Sequence, residues 1–199
     1  MAEADAGPIL ITGTSGEIGS ALAAHFVERG VIVLGLDKQE PRPGGPGGVM
    51  FRCCDLTDGA HVTAVIDELV AVHGVPGVVV NCAGRIANSP LVSLGTDGWH
   101  VHDFELWDDV IRSSLYAAFH VSAVAAKHML VSRKRGVIIN FSSISARGNP
   151  GQAAYSAAKA GLNGLTMALA KELGPVGIRV VGIAPGYFDT RSTTCASNT

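Results

Sequence analysis

Tyr155 and Lys159 stand four positions apart in the run Tyr155-Ser-Ala-Ala-Lys159, inside a segment with helical patterning. Residues so spaced share one helix face, which brings an ammonium close to a phenol. A cation there stabilises phenolate and draws the tyrosine pKa toward working pH, as a general acid/base acting on an alcohol or carbonyl requires. Upstream, Asn140-Phe141-Ser142-Ser143 leaves an apolar run and enters a loop. Adjacent strand residues point to opposite faces, so one of Ser142 and Ser143 is structural and the other faces a cleft. A second group lies near the N-terminus. There Thr12-Gly-Thr-Ser-Gly-Glu-Ile-Gly19 follows the apolar Pro8-Ile9-Leu10-Ile11. Gly13, Gly16 and Gly19 permit a tight turn and close approach to a pyrophosphate, and the helix that follows aims free N–H groups at that charge. Ser15 and Ile18 complete this candidate cofactor loop. Glu17 stands where an anion would dock, and it is expected to turn outward on the first helical turn, where a carboxylate complements the helix dipole.

Asp37 closes the next apolar run, placed to accept hydrogen bonds from adenosine ribose hydroxyls and to repel a 2′-phosphate. NAD is therefore favoured over NADP as cofactor. Asp55-Leu56 and Asn81-Cys82-Ala83-Gly84 follow later runs, where they would line the adenine and ribose sides of a dinucleotide cleft.

Something must hold these groups at one edge. The chain alternates short β-branched runs with longer helical stretches, the pattern of a doubly wound α/β fold: one parallel sheet between two helical layers. Strands are expected at Ile9–Thr12, Val31–Leu36, Val49–Cys53, Gly77–Asn81, Val137–Phe141 and Ile178–Ile183, and helices near Ile18–Arg29, Ala60–His73, Phe104–Ser132 and Gln152–Leu173. Pro41–Gly48 is too rich in breakers to be other than a loop. Gly95–Asp103 reads as a flexible surface loop, with His100 and His102 as solvated bystanders. A single domain over residues 1–190 places its ligand beyond the strand carboxyl ends, where strand order reverses.

Composition narrows the function. The chain has 199 residues, a formal net charge of −2 and no basic run, so it lacks the electrostatic footprint of a nucleic-acid binder. The acidic start Met1-Ala-Glu-Ala-Asp5 is unlike a signal peptide, and no apolar stretch is long enough to cross a membrane; the expectation is a cytoplasmic protein. Cys53, Cys54, Cys82 and Cys195 show no metal-type spacing and are expected to be buried reduced thiols, with no bound metal.

In their order along the chain, the glycine loop, Asp37, Asp55-Leu56, Asn81–Gly84, the serine pair, Tyr155/Lys159 and Pro185-Gly-Tyr-Phe-Asp-Thr190 resemble the short-chain dehydrogenase/reductase family, over residues 8 to about 190. Gly148–Gly161 looks like its ketoacyl-reductase-like members. The resemblance implies a Rossmann-type domain in which Tyr155 exchanges a proton with substrate oxygen, Lys159 holds the nicotinamide ribose, and a serine polarises the carbonyl. It further implies hydride transfer between NAD(H) and a small-molecule alcohol or carbonyl substrate. Asn81, Ala83 and Gly84 would border the cofactor, and Pro185, Gly186 and Thr190 its carboxamide end.

The chain departs from the family pattern in four places. Its glycine spacing, TGxxGxxG, belongs to another branch of the family. The family's usual count back from Tyr155 lands on Ser142, whereas the strand-side pattern lands on Ser143 with a loop shorter by one; Ser143 is favoured because loops absorb deletions more readily. Ser114 stands where the family carries an asparagine that supports a water chain to the lysine. Residues 191–199 form a polar tail that is expected to be frayed and to lack the usual substrate lid. The helices at Phe104–Ser132 and Gln152–Leu173 correspond to those that pair family subunits, implying a homodimer or homotetramer. The alternative to an enzyme is a dinucleotide-binding protein with little or no turnover, a sensor, scaffold or truncated enzyme.

Overall fold

Runs of Val, Ile and Leu without polar alternation need cover on both faces. In a computed structural model, which describes residues 7–41 and 44–186, six such runs form one parallel sheet. The elements are β1 (Ile9–Thr12), α1 (Glu17–Val27), β2 (Val33–Asp37), β3 (Val49–Cys53), α2 (Gly59–His73), β4 (Val78–Asn81), β5 (Val92–Gly95), β6 (Gly98–Val101), α3 (Phe104–Ile111), α4 (Ala117–Val131), β7 (Gly136–Phe141), α5 (Ala153–Leu173) and β8 (Ile178–Ile183). The sheet order is β3-β2-β1-β4-β7-β8, so strand order reverses between β1 and β4. Ile9 is in register with Val33 on one side and Val78 on the other.

Side chains along each strand alternate between two cores. Leu10, Leu34, Leu36, Val79 and Ile138 pack with Val62, Ile66 and Leu69 of α2 and Val121, Ala125 and Met129 of α4. Ile9, Ile11, Val33 and Val80 point the other way, toward Leu22, Ala23 and Phe26 of α1. This is the three-layer arrangement expected from the alternation. Two helices start on aspartates that satisfy otherwise unpaired N–H groups. Asp58 accepts from Ala60 and His61 N–H, and Asp103 from Glu105 and Leu106 N–H.

Two expectations are corrected here. Gly95–Asp103 is no flexible loop, because β5 and β6 form an antiparallel hairpin. Its pairs Val92–Val101 and Leu94–Trp99 put four apolar side chains on one exposed face. His102 is only 5% exposed, donates from Nδ1 to the Asp103 carbonyl (2.7 Å) and meets the Trp107 ring edge-on. The expected helix 104–132 is not continuous: one π-helical turn, Arg112–Tyr116, separates α3 from α4 and turns Ser114 inward to full burial. The expectations for residues 187–199, including Thr190, Cys195 and the tail, lie outside the described residues. Among the described residues no helix is long and apolar enough to cross a membrane, and no cluster of His, Cys, Asp and Glu is arranged to hold a metal ion.

Candidate active site

Parallel strands send all their carboxyl ends to one edge, and there the loops enclose a cleft of about 1130 Å³. It runs from Asp37 and Asp55 at the β2–β3 side, past the glycine loop, to Ser143, Tyr155, Lys159 and Pro185-Gly186 at the β7–β8 side.

The glycine loop is shaped by contact between loops. Gly13 has φ +74°, a conformation costly for other residues, and a Cβ on it would lie 2.9 Å from Ala83 Cα. A Cβ on Gly19 would collide with the Gly13 carbonyl oxygen and sit 2.7 Å from its carbon. Gly16 is exposed and precedes α1 with no side-chain cap, so the first N–H groups of α1 open onto the cleft. Glu17 is half-buried and lines the cleft with Ser15, Gly16, Ile18 and Gly19. Asp37 lines it too. One of its carboxylate oxygens accepts from Ser15 N–H and the other from Gln39 N–H, both at 3.0 Å, while Ser15 Oγ donates to the Gln39 carbonyl (2.6 Å).

Thr12, which the sequence reading did not single out as a site residue, fastens the next loop. Its Oγ1 accepts from the N–H groups of Cys82 and Ala83, each at 3.1 Å. A threonine closing β1 immediately before the glycine turn is the signal that could have found it. Cys82, Ala83 and Gly84 line the cleft, but Asn81 does not. Its Nδ2 donates to Ser122 Oγ and to Asn140 Oδ1, both at 2.9 Å, inside the packed layer. Assignment of Asn81 to the cofactor is thus corrected: as the last residue of β4 it points its side chain inward. Asp55 and Leu56 line the β3 end, where Asp55 Oδ1 accepts from Thr57 N–H and hydroxyl. These bonds hold its carboxyl below the usual range.

The chemical groups meet at the β7–α5 end. Ser142 is buried and donates from Oγ to the Lys159 carbonyl (3.1 Å), a structural bond. Ser143 caps the short turn Ile144–Arg147, its Oγ accepting from Ser145 N–H (3.1 Å), and it stands beside Tyr155. Tyr155 lies in the first turn of α5, one turn before Lys159, whose Nζ sits 5.5 Å from the phenol ring centroid. Lys159 is 4% exposed and donates to the Phe141 carbonyl (2.7 Å).

The expected lowering of the tyrosine pKa is not met. Burial pushes the Tyr155 phenol up, the Ser143 hydroxyl pulls the other way, and Cys82 adds to the rise. Burial also brings Lys159 down to about 8, close enough to neutrality for its ammonium to lose its proton in mildly alkaline solution. Cys82 is itself pushed up to about 11 by burial, against the pull of Lys159. Ser114 does not line the cleft. It lies behind Gly84, where a Cβ would meet Ser114 Oγ at 3.0 Å and Lys159 Nζ at 3.4 Å, and its Oγ has no partner among the described residues. Of the cysteines, Cys54 is buried and Cys82 half-buried, but Cys53 is exposed, a correction to the expectation of buried thiols.

A cleft with an uncapped helix start, a glycine turn and a carboxylate at the end of β2 fits a dinucleotide along the edge, with the serine, tyrosine and lysine at its far end. The profile of the short chain dehydrogenase family matches residues 8–199. The chain belongs to this family. It is 34% identical over 194 aligned positions to a 3-oxoacyl-(acyl-carrier-protein) reductase of Chlamydia muridarum, covering 92% of this chain and 75% of that protein. It is 35% identical over 190 positions to the short-chain reductase NovJ of Streptomyces niveus, covering 91% and 69%. Among solved structures it superposes on the ligand-free aldohexose dehydrogenase of Thermoplasma acidophilum with TM-score 0.82 at 27% identity, covering 96% of this chain and 71% of that one. On a 4-hydroxyisoleucine dehydrogenase complexed with NADH the score is 0.78 at 28% identity, covering 96% and 80%. The chain is therefore a hydride-transfer oxidoreductase built on the Rossmann-type fold, working with a nicotinamide dinucleotide.

Proposed function

We propose that this short-chain dehydrogenase interconverts an alcohol and its carbonyl compound with NAD(H), using Tyr155 as general acid/base. The observation that carries the reading is the meeting of Ser143, Tyr155 and Lys159 at one end of the cleft. Bound nicotinamide supplies the hydride for reduction and takes it up in oxidation. Tyr155 Oη would hold the proton at the substrate oxygen, giving it up as a carbonyl becomes an alcohol and receiving it in the reverse direction. Ser143 would donate to the same oxygen, its side chain aimed by the bond from Ser145 N–H. Lys159 donates to the Phe141 carbonyl at the base of the site; it would bind a ribose hydroxyl and would favour phenolate whenever it is protonated.

Gly13, Ser15, Gly16, Ile18 and Gly19 would hold the pyrophosphate side, and Asp37, Asp55, Leu56, Ala83, Gly84, Pro185 and Gly186 the rest of the dinucleotide. Support for NAD over NADP comes from Asp37, a carboxylate fixed by two backbone N–H groups where a 2′-phosphate would have to sit. A homo-oligomer is supported by a second, apolar cavity of about 540 Å³ between α4 and α5, lined by Phe119, Gly161, Gly164, Leu165 and Ala168. Fluorescence titration with NADH and NADPH, then assay on a panel of alcohols and ketones, tests the reading. Tight NADH binding with turnover that Tyr155→Phe abolishes is expected. Cofactor binding without turnover on any substrate would leave only the dinucleotide binder.

A further inference from the structure

Leu56 and Thr57 edge the cleft at the end proposed for the adenosine half, on the loop between β3 and α2. Most bonds of this loop are to near neighbours. Cys54 N–H donates to the Asp37 carbonyl (2.8 Å), Asp55 N–H to His61 Nδ1 (3.4 Å) and Asp58 N–H to the Asp55 carbonyl (3.2 Å), while Asp55 Oδ1 accepts from Thr57 N–H and hydroxyl. Such bonds shape a turn but leave open where its tip stands against the rest of the protein. Two side chains from far along the chain supply that position. His120 of α4 donates from Nδ1 to the Leu56 carbonyl (3.0 Å), and Arg112, which opens the π-helical turn before α4, donates to the Thr57 carbonyl (3.4 Å). A carbonyl oxygen only accepts, so the His120 imidazole carries a proton on Nδ1.

The two donors are joined to each other. The Arg112 guanidinium lies over the Tyr116 ring, 5.8 Å from its centroid, and the Tyr116 ring meets that of His120 at 6.3 Å with the planes inclined by 63°. Arg112, Tyr116 and His120 thus form one column along the helix, with a carbonyl of the cleft loop bonded at each end. His120 is half-buried and packs under the start of α2, where a Cβ on Gly59 would lie 3.5 Å from its ring. None of the three lines the cleft. Their hydrogen bonds go to the far side of the backbone that a ligand would touch. A loop braced from behind has less freedom to lose when a ligand docks, so affinity is gained without any contact to the ligand.

We propose that His120, supported through Tyr116 by Arg112, is a positioning residue for the adenosine half of the cofactor, holding Leu56 and Thr57 where the dinucleotide docks. This rests on the dehydrogenase reading above and adds to it a residue that touches no ligand. The test measures Kd by calorimetry for NADH and for ADP-ribose, which carries the adenosine half without nicotinamide, together with kcat at saturating NADH. His120→Leu should raise both Kd values by the same factor, about threefold to tenfold, as the loss of one neutral hydrogen bond predicts, and leave kcat within about twofold. His120→Asn, whose Nδ2 stands as many bonds from Cβ as the imidazole Nδ1, should bring both Kd values back to within about twofold of wild type. Arg112→Met, at an exposed position and losing a longer bond, should raise both by about two- to threefold and guards against a folding defect in the His120 variants. Unchanged ADP-ribose affinity in His120→Leu, a loss for NADH that ADP-ribose does not share, a fall in kcat larger than the fall in affinity, or no recovery in His120→Asn would overturn the brace alone. A wild type that binds neither NADH nor ADP-ribose would overturn the dehydrogenase reading with it. The expected pattern of affinities without turnover of any substrate would uphold the brace and defeat the dehydrogenase reading instead.

Discussion

Lys159→Met should make the unliganded protein more stable while removing its activity. Lys159 is 4% exposed and its pKa is brought down from 10.5 to about 8 by burial, which amounts to about 3 kcal/mol against the charged form. Methionine fills a similar volume and carries no charge, so that cost disappears. Against this, the Phe141 carbonyl loses the Nζ donor at 2.7 Å, worth about 1–2 kcal/mol. The net gain at pH 7 is then about 1–2 kcal/mol. The pH dependence separates this account from improved packing. Between about 8 and 10.5 the unfolded chain binds a proton that the folded wild type does not, so wild-type stability rises with pH through that window. Below about 8 both states are charged and the penalty is complete. The variant's advantage should therefore be largest near neutrality, shrink above pH 8 and turn into a small deficit near pH 10.5. Urea unfolding of both proteins across this range measures it as a shift in midpoint at constant m-value. A variant less stable than wild type at pH 7, or a difference that ignores pH, would refute the reasoning. A buried cation retained at a net cost in stability is what a functional requirement predicts.

Gly19→Ala places a methyl group against the Gly13 peptide and should cost about 1–3 kcal/mol by urea unfolding, with a large loss of NADH affinity in the same protein. Unchanged affinity would show that the glycine turn does not shape the cofactor site. Tyr155→Phe should lower turnover by about 10²–10⁴-fold and leave NADH binding within a few-fold. In the unliganded wild type the same phenol should ionise above its ordinary value of 10, since burial is the largest influence on it; ultraviolet difference titration against the Phe variant would expose a phenolate forming earlier. Asp37→Ala removes the acceptor for two backbone N–H groups and the charge opposing a 2′-phosphate, so the NADH-to-NADPH affinity ratio should fall by about tenfold or more. Ser143→Ala removes both the cap on Ser145 N–H and the hydroxyl beside Tyr155, and should lower kcat more than it raises KM.

The amino-acid sequence by itself determined the architecture, because periodicity is local. β-Branched runs such as Val78–Asn81 call for cover on both faces, which the central strands receive, and glycines between a strand and a helix leave few alternatives to a tight turn. It also placed Tyr155 and Lys159 on one helix face, since their spacing is a property of the helix. Tertiary structure decided what depends on distant partners. Asn81 turned into the layer because Asn140, in register on β7, and Ser122 on α4 were there to receive it. The hairpin β5–β6 was missed because glycines at 95 and 98 and polar residues at 93, 96, 97 and 100 mask its short apolar alternation. The proton affinities of Tyr155 and Lys159 were shifted by how deeply the surrounding loops bury them, the phenol upward and the ammonium downward, against the direction their spacing implied for the tyrosine. Short-range order follows from backbone geometry and patterning; burial, and with it the proton affinity of the site, is a property of the assembled whole.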